Sequence, residues 1–185
     1  MVEAVIFDFD GVIADTVQVE FEAYRQAFQK YGVALSYNEF LESRGGTGLE
    51  LIDSILKRKK VRLNAMHIYG TKKGIYQQLI PEIKPYTEII WLIKRLKNYK
   101  LAIATSGLSK NVQIMLQSFE IRDRFKVVIG GEHIKKGKPD PQVFLLAAKG
   151  LKVRPKNCLV IEDSLVGFEA ARKAGMECIL LNGEG

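Results

Sequence analysis

Only two cysteines, Cys158 and Cys178, occur in the 185 residues, and neither has a Cys-x-x-Cys or Cys/His spacing. That counts against a disulfide scaffold or a zinc site, and both thiols are expected reduced and buried beside apolar runs. Long apolar stretches are missing as well. Ile89 to Ile93 is about one quarter of the roughly 20 residues that a membrane-spanning helix needs. The N-terminus runs from Met1-Val2-Glu3-Ala4 straight into an apolar segment, with no basic leader or small-residue cleavage site. Neither a membrane partner nor a signal peptide is expected, and the location expected is cytoplasmic. Histidine is scarce: His67 and His133 stand far from any partner, and are expected to be structural or exposed.

Apolar residues make up 47% of the chain and charged residues 26%, a balance that predicts a buried core rather than disorder. The length fits one core domain with a small insertion. Twenty-eight basic against 21 acidic residues leave +7, which suits an anionic ligand. Much of the excess lies in Lys57-Arg58-Lys59-Lys60, Lys72-Lys73 and Lys135-Lys136 with Lys138. No aromatics are interleaved within these clusters, as a single-strand binder would require. They read as solvated helix faces, and nucleic acid is not expected as a partner.

Val2 to Phe7 is a nearly continuous apolar run ending in Asp-x-Asp-Gly, which predicts a buried parallel strand with two aspartates beyond its carboxyl end. Val17, Phe21, Tyr24, Phe28 and Tyr31 then repeat every three or four residues, and Gly32 supplies a stop. Helical patterning continues to residue 80, interrupted by Arg44-Gly45-Gly46-Thr47-Gly48. After Pro81 and Pro85 strands and helices alternate: helix 87–98, strand 100–105, helix 108–119, strand 126–130, helix 141–149, strand 158–161, helix 164–174, strand 177–181. Asp140-Pro141 and Gly150 bracket one of these helices, and Ser164 and Gly175 bracket another. Trp91 with Ile89, Leu92, Ile93 and Leu96 is read as core packing. The fold expected is α/β: a Rossmann-like, doubly wound parallel sheet (1–15 and 84–185) with a small helical cap (16–83) inserted after the first strand.

In open parallel sheets the chemistry sits beyond the carboxyl ends of the strands. The residues found there are Asp8-Phe9-Asp10, then Thr105-Ser106-Gly107, Lys138 in the loop after the third core strand, and Glu162-Asp163-Ser164. Crowded acids need a counter-charge, and an oxygen-only ligand set with room for water points to Mg²⁺. A cation, a lysine and hydroxyl or amide donors together suit a transferring phosphoryl group. One aspartate can then attack phosphorus, while the other moves the proton. Taken singly, Lys138 could be a surface lysine, Thr105-Ser106 a helix cap, and the two aspartates a turn.

These residues resemble the haloacid dehalogenase-like hydrolases, within them the β-phosphoglucomutase and phosphoglycolate-phosphatase-like branch with a helical cap. Asp8-Phe9-Asp10-Gly11-Val12-Ile13-Ala14-Asp15-Thr16 is similar to the family's first motif. Thr105-Ser106-Gly107 is similar to the second, Gly137-Lys138-Pro139-Asp140-Pro141 to the third, and Ile161-Glu162-Asp163-Ser164-Leu165-Val166-Gly167 to the fourth. The resemblance implies Asp8 as nucleophile and Asp10 as general acid/base. It implies Mg²⁺ held by Asp8, the Asp10 carbonyl, Asp163 and, directly or through water, Glu162. The phosphoryl group would be held by Thr105, Ser106, Gly107 and Lys138.

The cap departs from the mutase pattern. Glu20 stands where mutases of this branch show a histidine, and near Gly46-Thr47-Gly48-Leu49, where they show an arginine after the cap glycine, there is none, although Arg44 precedes the glycines. Arg44 or Lys72-Lys73 could contact a second anionic group. The sequence ends soon after Leu181, where members of the branch run on through another helix and strand. The function expected is Mg²⁺-dependent hydrolysis of a small phosphorylated metabolite by a monomer. The alternatives are a sugar phosphomutase and a non-catalytic phosphate-binding protein.

Overall fold

In the computed structural model, which describes residues 1–43 and 47–181, strand β1 (Ala4–Phe7) opens the chain and is buried on both faces. Four helices follow: α1 (Val17–Gln29), α2 (Tyr37–Glu42), α3 (Gly48–Arg58) and α4 (Ala65–Leu79). The alternating part comprises α5 (Thr87–Arg95), β2 (Lys100–Ala104), α6 (Ser109–Ser118), β3 (Phe125–Ile129), α7 (Gln142–Leu151), β4 (Cys158–Glu162), α8 (Leu165–Lys173) and β5 (Glu177–Leu180). The strands form one parallel sheet in the order β3-β2-β1-β4-β5. With its flanking helices it is an α/β, Rossmann-like fold. Successive crossovers run outward from β1 to β3, and the chain then returns to place β4 on the other side of β1. The switch point of the sheet therefore lies between β1 and β4.

Side chains alternate along the strands. Ala4, Ile6, Ala102, Ala104, Cys158 and Val160 pack with Phe144, Ala147 and Ala148 of α7 and with Ala170 and Ala171 of α8. Phe7 turns to the opposite face, edge-on to Phe125 with ring centres 6.0 Å apart. Small residues on the α7 face let that helix approach closely. A Cβ on Gly150 would lie 2.9 Å from Val127 Cγ2, so this glycine is a helix-interior contact with β3 rather than the stop its sequence position suggests. The helix ends instead at left-handed Lys152. Pro141 holds the N-cap position of α7 with no side-chain capping bond, and Asp140 Oδ1, one residue earlier, accepts the Gln142 amide at 3.0 Å. Ser164 likewise accepts from Gly167 at 3.1 Å.

The stripe on α5 divides differently from the sequence expectation. Ile93 is buried, Ile89, Leu92 and Leu96 are half-buried, but Trp91 is 58% exposed. Its ring lies 3.8 Å from the Arg95 guanidinium one helical turn on, and this cation–π stack covers it from within its own helix. Cys158 is buried and Cys178 half-buried, and both are free thiols.

The chain divides into two compact units, Met1–Thr16 with Ile83–Gly185, and Val17–Glu82. The second is helical, built on Tyr24, Phe28, Phe40, Ile52, Ile55 and Ile68. Ser36 with Glu39 and Thr47 with Glu50 form capping boxes that start α2 and α3, each satisfying two otherwise unpaired amides. Arg58 pairs with Glu42 and Lys59 with Glu39, so half of that basic cluster is neutralised locally. Lys72, read from the sequence as an exposed helix charge, is buried. It lies 3.2 Å from Glu20 and between the rings of Tyr24 and Tyr76. Arg44 lies outside the described residues. No helix among the described residues is long and apolar enough to cross a membrane.

Candidate active site

β1 ends one residue before Asp8, whose amide continues the ladder to the Ile161 carbonyl at 2.9 Å. That bond fixes the Asp8 side chain against the neighbouring end of β4, and the residue is 7% exposed. The chain then turns tightly: the Ile13 amide donates to the Phe9 carbonyl, and the Gly11 amide to the Ala14 carbonyl. Gly11 takes a φ of +79°, and a Cβ there would fall 1.9 Å from Asp163 Oδ2. Glycine is needed on both counts.

Asp10 is aimed by two hydroxyls. Thr16 Oγ1 donates to its Oδ1 at 2.6 Å and Thr105 Oγ1 to its Oδ2 at 3.2 Å. Thr105 is fully buried, and its hydroxyl also accepts the Gly107 amide at 2.9 Å. The Thr105 hydroxyl and the Gly107 amide, expected from the resemblance to hold the phosphoryl group, bond to each other, and the same hydroxyl reaches Asp10. Ser106 is exposed. Thr16 was given no role from the sequence. Its signal was a hydroxyl six residues beyond Asp10, within the first motif.

Lys138 brings the only cation of this cluster among the described residues. Its buried Nζ lies 3.1 Å from Asp8 Oδ2 and closer still to Glu162 Oε1. Glu162 is wholly buried, and its other oxygen accepts the amides of Asp163 and Ser164 and the Ser164 hydroxyl. Gly167 makes room for it, since a Cβ there would overlap Oε1. One oxygen each of Asp8, Glu162 and Asp163 lie within 4.8 Å of one another.

Burial, opposed by Lys138 and reinforced by Glu162 and Asp10, pushes the Asp8 carboxyl up to about 8. Burial and then Glu162 push Asp163 up to about 6. For Glu162, burial pulls upward but Lys138 and the Ser164 donors outweigh it, so it stays ionised. Lys138 is pulled down by burial and held above its ordinary value by Asp8 and Glu162. One lysine thus serves three converging carboxylates. Asp8 Oδ1 is buried with no hydrogen-bond partner, a costly state unless something occupies that side. The residues fit a hard divalent cation with oxygen ligands.

An α/β fold with acids at the ends of its first and fourth strands and a buried lysine between them places the chemistry in loops at the sheet's switch point. The chain belongs to the haloacid dehalogenase-like hydrolase family, whose model matches residues 5–181. It is 37% identical over 183 residues to a phosphorylated carbohydrates phosphatase of Thermotoga maritima, covering 96% of this chain and 83% of that protein. It is 32% identical over 182 residues to a β-phosphoglucomutase of Bacillus subtilis, covering 94% and 80%. Among solved structures, that of CbbY from Rhodobacter sphaeroides in complex with phosphate is similar at a TM-score of 0.89 and 31% identity. It covers 99% of this chain and 87% of that one.

Proposed function

We infer that this chain is a Mg²⁺-dependent phosphatase acting on small phosphorylated metabolites through a phospho-Asp8 intermediate. The observation that carries the reading is the buried Asp8, with one oxygen on Lys138 and the other without a protein partner. In the first half-reaction an Asp8 oxygen bonds to phosphorus while the ester P–O bond breaks, and the Asp10 carboxyl gives its proton to the leaving oxygen. In the second, Asp10 takes a proton from water, the water oxygen bonds to phosphorus, and the Asp8–phosphorus bond breaks. That releases inorganic phosphate and restores both side chains. Thr16 and Thr105 keep Asp10 oriented throughout. Lys138 and the Ser106 hydroxyl hold the phosphoryl oxygens. Asp8 and Asp163, with the Asp10 carbonyl and Glu162, would hold Mg²⁺, which when bound would supply counter-charge to the transferring group.

The Thermotoga relative's name supports phosphorylated sugars as the substrate class. The helical unit 17–82 takes the part of the substrate-selecting cap, and the protein works as a cytoplasmic monomer without nucleic acid. The Bacillus relative favours a second reading, a sugar phosphomutase. Against that reading stands Glu20, which is paired with Lys72 where the mutases it resembles show a histidine. Phosphate release from a panel containing phosphoglycolate and hexose phosphates, with and without Mg²⁺, tests the proposal. Mg²⁺-dependent release is expected. Conversion of β-glucose 1-phosphate to glucose 6-phosphate without release would favour the mutase.

A further inference from the structure

Glu132 belongs to none of the four motifs. It sits in the one-turn 3₁₀ helix Gly131–His133 after β3, yet its carboxylate reaches into the next loop. The amide of Ser109, the first residue of α6, donates to its two oxygens at 3.0 and 3.3 Å, and the Ser109 hydroxyl donates to Oε1. Leu108, at the N-cap position of α6, has no side-chain capping bond. The cap comes instead from a residue 23 positions away, on the adjoining connection.

The same connection grips the Thr105–Gly107 loop at other points. The Gly131 amide donates to the Gly107 carbonyl at 2.9 Å. A Cβ on Gly131 would fall 2.4 Å from the Ser106 carbonyl oxygen, and one on Gly130 would fall 2.5 Å from the Ser109 amide. Two glycines therefore let this segment lie directly on the loop. The Gly130 amide is itself held by His133 Nδ1 at 3.0 Å, which fixes the turn that presents Glu132. Counting the Thr105 bond to the Gly107 amide, the loop is held on both sides of Ser106. Ser106 itself is exposed and donates to no described residue.

We propose that Glu132 is a positioning residue for phosphate binding: by clamping the Ser109 end of the loop it fixes Ser106 where it can receive phosphoryl oxygens. This rests on the phosphatase reading above, and it concerns a residue that touches neither the nucleophile nor the acid cluster. A carboxylate suits the task because the start of α6 offers unpaired amides and the positive end of the helix dipole. Burial works against its charge, but the bonds from Ser109 hold its pKa below the ordinary value.

The test compares wild type with Glu132→Ala, Glu132→Gln and Glu132→Asp by titration calorimetry of inorganic phosphate in the presence of Mg²⁺, alongside kcat, KM and thermal unfolding. The expected result is phosphate affinity about tenfold weaker in Glu132→Ala, a smaller loss in Glu132→Gln, and Mg²⁺ affinity unchanged in both. Glu132→Asp should recover part of the affinity. A variant that melts lower yet binds phosphate as wild type does would overturn the proposal, leaving Glu132 a helix cap only. If Glu132→Ala does not fold, Glu132→Gln decides, and wild-type affinity in it would likewise overturn the proposal. A wild-type protein that binds phosphate but hydrolyses no ester would sink the phosphatase reading, while the phosphate series would still decide the role of Glu132. If wild type binds no phosphate at millimolar concentration, both fall.

Discussion

Replacing Lys138 with Met keeps the length and apolar stem of the side chain but removes the one positive charge among the converging acids. At 3.1 Å from Asp8 Oδ2, the attraction is about 5 kcal/mol for an effective dielectric near 20 once Asp8 is ionised, at pH values above its raised pKa of about 8. Desolvating the lysine offsets part of this. Losing one partner of a buried pair costs roughly 3–5 kcal/mol, because the charge left behind has no substitute. Glu162 retains three donors on its other oxygen, so the lower figure of about 3 kcal/mol applies. With a urea m-value near 2 kcal/mol/M, the unfolding midpoint should fall by roughly 1.5 M. The loss should be larger at pH 8 than at pH 5, where protonation can neutralise the stranded acids. Adding Mg²⁺ at pH 8 should recover part of it by supplying another counter-charge, while kcat stays down by about 100-fold or more. Equilibrium urea unfolding followed by circular dichroism measures all of this. A metal-free midpoint within about 0.3 M of wild type at pH 8 would refute the assignment of Lys138 as the counter-charge.

Gly11→Ala should lower activity by about 100-fold and stability by about 1–2 kcal/mol, because φ is +79° and the new methyl would occupy the place of Asp163 Oδ2; near-normal rates would contradict the packing described. Thr16→Val removes the 2.6 Å bond to Asp10 at nearly constant volume. It should reduce kcat and shift the pH–rate profile with KM little changed, as steady-state kinetics across pH would reveal. Asp8 and Asp163 have folded-state pKa values raised to about 8 and about 6, so their contribution to metal-free stability is full below about pH 4 and is lost as pH rises through those values. A bound cation must displace the same protons. Thermal melts should therefore show metal-free stability falling from these groups between pH 5 and 8, with the stabilisation by Mg²⁺ growing over the same range; a pH-independent Mg²⁺ effect would contradict it.

Asp8, Asp10 and Asp163 were legible in the sequence because each follows a short apolar strand, and a parallel sheet brings such positions to one edge; Lys138, nine residues beyond β3, was legible only through the Gly-Lys-Pro-Asp-Pro motif around it. The same strand-end position brought Thr105 and Gly107 to that edge without showing the bond between them. A hydroxyl and an amide at a strand end carry no sign of whether they face a ligand or one another, and here they bond together. Long-range pairings were hidden altogether. Lys72 finds Glu20 across 52 residues and Glu132 finds Ser109 across 23, and a local pattern can show only a charge on a helix or in a loop. Gly150 looked like a helix stop because that is where a glycine near a helix end is most often needed, whereas its reason is the close approach of Val127. Trp91 misled for the opposite cause: its apolar bulk fits a core stripe, and only the Arg95 stack one turn away accounts for its exposure.

The central claim is that Asp8 carries the phosphoryl group. Rapid acid quench during turnover of a hexose phosphate with Mg²⁺, followed by borohydride reduction, converts an aspartyl phosphate to homoserine, and peptide mass spectrometry locates it. The account predicts the mass change at Asp8 in wild type, and none in Asp8→Asn. Phosphate release with no modified aspartate, or modification at Asp10 or Asp163 instead, would contradict it.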